Sequence, residues 1–175
     1  MSYKKYDGND VVKGYKSFIL KENKLFDGYG NEYEIGKTYH QEGKIGYLEN
    51  GYHFCLDPID TLAFSNGYDK LIVCEIEGFG NMYSVDNEYK EIFDIHISEN
   101  FKIIKVIPSD ELINIIKKSG YYVIEKYIKF QSNFINDEDI EDIISERLEL
   151  DKVRLRKSYE LTKNFNQEKS LQRIR

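Results

Sequence analysis

Alanine is almost missing from this sequence. Ala63 is the only one among 175 residues, and there is no tryptophan. Lys, Ile, Asn, Tyr and Glu are used heavily instead, as in chains encoded by AT-rich bacterial or phage genomes. That bias concerns origin, not chemistry. No apolar run is long enough to span a bilayer, which excludes a transmembrane helix. The N-terminal lysines precede no apolar segment, so no secretory signal is read there and a cytoplasmic protein is expected. Cys55 and Cys74 are the only cysteines. They allow at most one disulfide, and in an intracellular chain they are read as small buried thiols. There is no internal repeat and no low-complexity run.

Other absences bear on chemistry. Gly78-Phe79-Gly80 lacks a third glycine and a following helix cap, so no nucleotide fingerprint is present. Gly28-Tyr29-Gly30 reads as a turn on the same grounds. His40, His53, Cys55, Cys74 and His96 are the candidate metal ligands. Only His53 and Cys55 form a close pair, and nothing completes a four-ligand set, so no metal and no cofactor are expected. His53 and Cys55 are also the one candidate nucleophile–base pair, but no sequence typical of a thiol enzyme surrounds them.

What is present suffices for a real core. The hydrophobic fraction is 41%, with 15 tyrosines and 10 phenylalanines, and 32% of residues are charged. The length suits one domain with an appendage. The formal charge of −6 is unevenly spread. Residues 151–175 hold eight basic groups against three acids, a balance of +5, which leaves −11 on residues 1–150. All five arginines lie at or after Arg147. An acidic body with a basic tail predicts two surfaces with different partners.

Residues 1–12 are polar and read as mobile. Tyr15 to Leu20 predicts a first strand, Leu25 to Asn31 a loop or tight hairpin, and Glu32 to Tyr39 an extended segment. Asn50-Gly51 predicts a type I′ turn pairing Ile45–Leu48 with Tyr52–Cys55. Asp57 and Pro58 open a short helix that carries Ile59, Leu62 and Ala63 and ends at Asn66-Gly67. Leu71 to Ile76 predicts a strand stopped by Gly78 and Gly80. Phe93, Ile95 and Ile97 alternate with polar residues as in a half-buried strand. Phe101 to Ile107 predicts another, ended by Pro108. Ser109 then caps a helix with acids first and Lys117-Lys118 last. Tyr121 to Phe130 is ambiguous between strand and helix. From Asn136 a single long helix is expected, with Ile140, Ile144 and Leu148 as its docking stripe. Strands first and helices after predict an α+β fold with an antiparallel or mixed sheet. The division is drawn at 13–118 for the α+β domain and 119–175 for a helical extension with a basic tail.

Several segments together carry a resemblance. They are Lys13 to Phe18, Tyr33 to Tyr39, Gly51 to Cys55 followed by Pro58, Val73 to Gly78, and Lys102 to Lys105. In this order the chain resembles an uncharacterised domain found in phage and prophage proteins, over roughly residues 13–118. The resemblance implies a mobile-element origin and brings no catalytic residue with it. More distantly, Gly51–Cys55, the helix after Asp57 and the strand at Leu71 resemble ADP-ribosyltransferase-like folds. Cys55 stands where Ser or Thr is usual there, and Lys13, Tyr15 and Lys16 occupy the strand that would carry Arg or His.

Three functions follow as expectations. The first is a phage- or prophage-encoded interaction protein of the bacterial cytoplasm. It binds a host protein or ribonucleoprotein, in its most concrete form an anti-CRISPR-type inhibitor of a host defence nuclease complex. The second is an ADP-ribosyltransferase-like enzyme using NAD, with His53, Glu75 and Glu77 as the catalytic candidates. The third is nucleic-acid binding through the basic tail. The candidate binding residues are Tyr52, His53, Arg154, Arg156, Lys157 and Arg173. The C-terminal helix is also a candidate homodimer contact, and no membrane partner is expected.

Overall fold

The computed structural model describes residues 2–47, 49–62, 71–86, 94–130 and 137–173. The chain divides into two units, Met1–Ile107 and Pro108–Arg175. The class is α+β, with one eight-stranded antiparallel sheet among the described residues followed by helices.

The strands of the first unit are β1 (Ser2–Lys5), β2 (Val11–Lys21), β3 (Lys24–Phe26), β4 (Glu32–Tyr33), β5 (Thr38–His40), β6 (Tyr52–Cys55), β7 (Leu71–Asp86) and β8 (Ile95–Val106), with helix α1 (Pro58–Leu62) between β6 and β7. The sheet order is β1-β7-β8-β6-β2-β3-β4, and β2 also pairs with β7. Strands β2, β7, β8 and β6 therefore close into a ring. Closure is full along β2 and β7, where pairing runs from Val11↔Phe79 to Ile19↔Leu71. It is minimal between β2 and β6, which share the single bridge Tyr15↔Cys55.

Inside the ring lies a core of Phe18, Phe54, Cys74, Ile76, Met82, Phe101 and Ile103. Phe54 sits where two strands carry no side chain. A Cβ on Gly14 would come within 2.5 Å of its ring, and one on Gly78 within 2.8 Å. A second cluster of Ile45, Val85, Ile95 and Ile97 is joined by Tyr47 and Tyr83.

Several local expectations are corrected. Tyr52–Cys55 pairs with Ile95–Ser98 of β8, not with Ile45 onward. Gly46 N–H donates to the Asn50 carbonyl at 2.9 Å, closing a turn instead of a ladder. Gly51 has φ +110, but Asn50 lacks the positive φ a type I′ turn needs at both centres. The tight hairpin lies elsewhere. Glu22 and Asn23, at φ 52 and 62, form the two-residue loop between Lys21 and Lys24. The N-terminus is a strand, with Ser2–Lys5 paired to Tyr83–Asp86. Its composition hid this because β7 supplies the backbone partners. Gly78 and Gly80 do not end β7. Gly78 admits the Phe54 ring, and Gly80, at φ +81, sits at a register shift between Phe79 and Met82. Ile95 to Val106 is one strand, and His96 and Ser98 are buried with their apolar neighbours. Leu48, Ala63, Asn66-Gly67 and Phe93 lie outside the described residues.

Helix α1 follows its sequence signals: Ile59 N–H donates to Asp57 Oδ1 at 2.8 Å. The second unit holds α2 (Ser109–Lys118), α3 (Tyr121–Phe130), α4 (Asp137–Ser145) and α5 (Glu149–Arg173). Helix α2 is preceded by Pro108 as its cap, and Ser109 makes no capping bond. The ambiguous segment at Tyr121 is helical because Ile124 and Ile128 are one turn apart and buried. The expected single C-terminal helix is two helices. Leu148 lies in the break, 80% exposed, while Ile140, Ile144, Leu155 and Tyr159 are buried. Arg147 donates to the Ile116 and Lys117 carbonyls at the C-terminus of α2, where a cation is favoured.

Candidate functional site

Where β6 parts from β2 after one bridge, the ring opens into a cleft of about 640 Å³. Five tyrosines line it, Tyr15, Tyr29, Tyr33, Tyr47 and Tyr52. Its size is that of a ligand or side-chain pocket. Tyr29 is 95% exposed at the tip of the β3–β4 loop. Tyr52 packs on Phe101 in a tilted arrangement, with ring centroids 4.3 Å apart. Tyr47 meets the His53 ring at 6.0 Å.

Among the described residues, Lys16 is the only cation in the lining. It shares a strand face with Gly14 and Phe18, so its stem runs along the core and its ammonium lies 5.9 Å from the Phe18 ring centroid. The ammonium is part-buried and donates to the His53 carbonyl at 2.9 Å, bridging the seam that the ladder leaves open. Burial lowers its pKa, and the Asp27 carboxylate offsets this in part. Asp27 is occupied by its own loop. It accepts from the backbone N–H groups of Tyr29 and Asn31, from Asn31 Nδ2 and from the Tyr33 hydroxyl, at 2.8–3.0 Å. Burial alone would raise its pKa, but these bonds bring it below the ordinary carboxylate value. The Tyr33 and Tyr52 hydroxyls are pushed upward by burial and nearby negative charge, so both stay protonated.

His53 is pulled down to about 4, first by burial and then by the Lys16 charge. Its Nδ1 lies 3.2 Å from the Gly51 carbonyl, to which the neutral ring donates. Because the folded value is below the unfolded one, stability is complete above about pH 6.5 and falls as pH drops toward 4. Urea unfolding at pH 4.5 is expected to show a loss on the order of 2 kcal/mol relative to pH 7 that is absent in His53→Gln. Equal pH dependence in the two proteins would contradict a part-buried neutral His53.

Of the other sequence candidates in the first unit, Cys55 also lines the cleft, whereas Glu75 and Glu77 do not. Glu75 and Glu77 are cross-strand neighbours of Lys105 and Lys102 on β8, and Glu75 Oε2 is 3.7 Å from Lys105 Nζ. They form a charge ladder, not a partner for His53. Cys55 and Cys74 are buried thiols outside any disulfide, and burial pushes Cys74 up to about 12. Among the described residues no three His, Cys, Asp or Glu side chains gather as a metal site. Arg154, Arg156 and Lys157 are exposed on α5 of the second unit, and Arg156 pairs with Glu141 at 3.1 Å. Arg173 ends α5, and its side chain lies outside the described residues.

Sequence reasoning missed Lys16, Asp27 and Tyr47 as site residues. It also missed a buried chain of hydrogen bonds. Tyr6 hydroxyl donates to His96 Nδ1 at 2.8 Å, and His96 Nε2–H donates to Asp94 Oδ1 at 3.0 Å. Burial and the charges of Asp94 and Asp10 raise the Tyr6 hydroxyl, so this chain is a tether for the N-terminal segment and not an activated base.

Residues 12–114 match the model of a family described as a domain of unknown function, DUF7666, a match that spans more than half of the chain. No curated protein and no solved structure matches it.

Proposed function

We propose that this chain, which belongs to the DUF7666 family of domains of unknown function, is a phage- or prophage-encoded interaction protein that binds a host macromolecule. Inhibition of a host defence nuclease complex is the most concrete form of that role. The observation that carries the reading is the cleft between β2 and β6, with five tyrosines and one cation among the described residues of its lining. Tyrosine gives large contact area at low entropic cost and is enriched where proteins recognise one another. The acidic body supplies charge complementary to a basic host surface.

Two features weigh against the ADP-ribosyltransferase-like alternative. Glu75 pairs with Lys105 and does not line the cleft beside His53. Among the described residues the cleft also sets one ammonium, Lys16, against two carboxylates, Asp27 and Glu49. A dinucleotide brings two more negative charges and would find one cation to meet them. The basic tail keeps a second reading alive, since Arg154 and Lys157 are exposed on α5 and suit phosphate. Leu150, Val153 and Leu161 are exposed on the same helix, as a contact with a second copy would use.

Affinity capture from a native-host lysate tests the leading reading. The wild-type chain is expected to retain one host protein or complex that a Tyr29→Ser/Tyr47→Ser variant loses. Undiminished capture by the variant would remove the cleft from the account. Cleavage of NAD by the wild type, lost in His53→Ala, would replace the binder with the enzyme.

A further inference from the structure

We infer that the cleft is a carboxylate-binding site. Lys16 receives an acidic side chain of a partner protein, and the surrounding tyrosines hold an aromatic residue beside it. This deepens the reading above by naming the chemistry the partner presents.

Holding Lys16 at this seam carries a cost. A part-buried ammonium is partly stripped of water and is stabilised by a counter-charge or further acceptors. Lys16 carries three donors. Among the described residues, one acceptor meets them, the His53 carbonyl at 2.9 Å, and no carboxylate lies within ion-pairing distance. Asp27 raises the Lys16 pKa through space but spends its oxygens on Tyr29, Asn31 and Tyr33. A lysine held this way, lining an open cleft, has capacity left for an incoming anion.

The charge of the lining selects which anion. Asp27 and Glu49 both line the cleft with Lys16, and His53 is neutral. A phosphate dianion would add two charges against the single cation among the described lining residues. A carboxylate adds one and needs one short contact. The tyrosine walls supply faces and edges for an aromatic neighbour of that carboxylate. The backbone of β6 before Cys55, Tyr52–Phe54, does not ladder to β2, so an extended segment has room to enter at the seam.

The test titrates the full chain with the peptides acetyl-Gly-Phe-Glu-Phe-Gly-amide and acetyl-Gly-Phe-Gln-Phe-Gly-amide, following the backbone amides of Tyr15–Ser17 and Tyr52–Phe54 by NMR. Inorganic phosphate is a third ligand. The glutamate peptide is expected to bind the wild type at least about tenfold more tightly than the glutamine peptide. In Lys16→Met, which keeps the stem and removes the charge, the two peptides are expected to bind alike. Equal binding of the two peptides to the wild type overturns the inference without any variant, so a folding defect in Lys16→Met cannot shield it. Absence of any shift at about 1 mM peptide, or tighter binding of phosphate than of the glutamate peptide, overturns it as well. Selective glutamate binding together with host capture that is indifferent to the tyrosines would sink the proposed partner surface and leave the carboxylate site standing.

Discussion

Cutting the chain after Leu150 is expected to unfold the helical unit. The basic tail has the composition of a solvated appendage, yet α5 sends Leu155 and Tyr159 into the interior at 0% and 5% exposure. They join Ile116, Ile124, Ile128, Ile140, Ile143 and Ile144, all buried. Removing a buried leucine alone costs about 2–5 kcal/mol. The truncation removes both side chains and the helix that carries them, against a stability of about 5–15 kcal/mol for a typical domain. Far-UV circular dichroism is expected to lose more helix than α5 itself contributes, and the amides of Ile140 and Ile143 are expected to lose protection from exchange. Leu155→Ala gives the graded version, a loss of about 2–5 kcal/mol in chemical unfolding. A truncated chain that keeps the amide protection of α4 would show that α5 does not complete this core.

Phe54→Ala is expected to be the most damaging single substitution in the sheet, at about 3–5 kcal/mol. The ring lies over Gly14 of β2 and Gly78 of β7, whose missing side chains leave the space it fills. The reciprocal change is equally diagnostic. A Cβ on Gly78 would stand 2.8 and 2.9 Å from two ring carbons of Phe54 and 3.1 Å from Ser98 Oγ. Gly78→Ala is therefore expected to destabilise the wild type by about 1–3 kcal/mol through overpacking. In the Phe54→Ala background most of that cost is expected to vanish. The double-mutant cycle reads this as a coupling of at least about 1 kcal/mol. Strict additivity would mean that the ring does not occupy that space.

The fold class was legible because strand and helix periods sit in separate halves of the chain. Helix α1 was legible too, since Asp57 and Pro58 act locally. What escaped was non-local. Asn50-Gly51 carries the composition of a hairpin turn, but Tyr52–Cys55 finds a four-residue partner in β8, and that pairing overrides the turn. Glu22-Asn23 makes the tight turn with less typical residues because β2 and β3 impose the register. Gly78 reads as a strand breaker until Phe54 is placed on it from another strand. Of the candidate site, Tyr52 and His53 were legible, and both line the cleft. Glu75 and Glu77 were drawn in by spacing alone, and spacing cannot show that Lys105 and Lys102 face them across the sheet. Lys16 was invisible as a site residue. Its meaning comes from burial beside the carbonyl of His53, thirty-seven positions away.

The central claim is that the cleft between β2 and β6 is the surface through which this protein meets its host partner. Site-specific photocrosslinking in the native host tests it most directly. Benzoylphenylalanine is placed at Tyr29, on the cleft rim, and in a separate protein at Leu161, on the exposed face of α5. The account predicts one discrete host-protein adduct from position 29, none from position 161, and loss of the adduct when Lys16→Met is added. Adducts from position 161 alone, or an adduct from position 29 that persists unchanged with Lys16→Met, would contradict it.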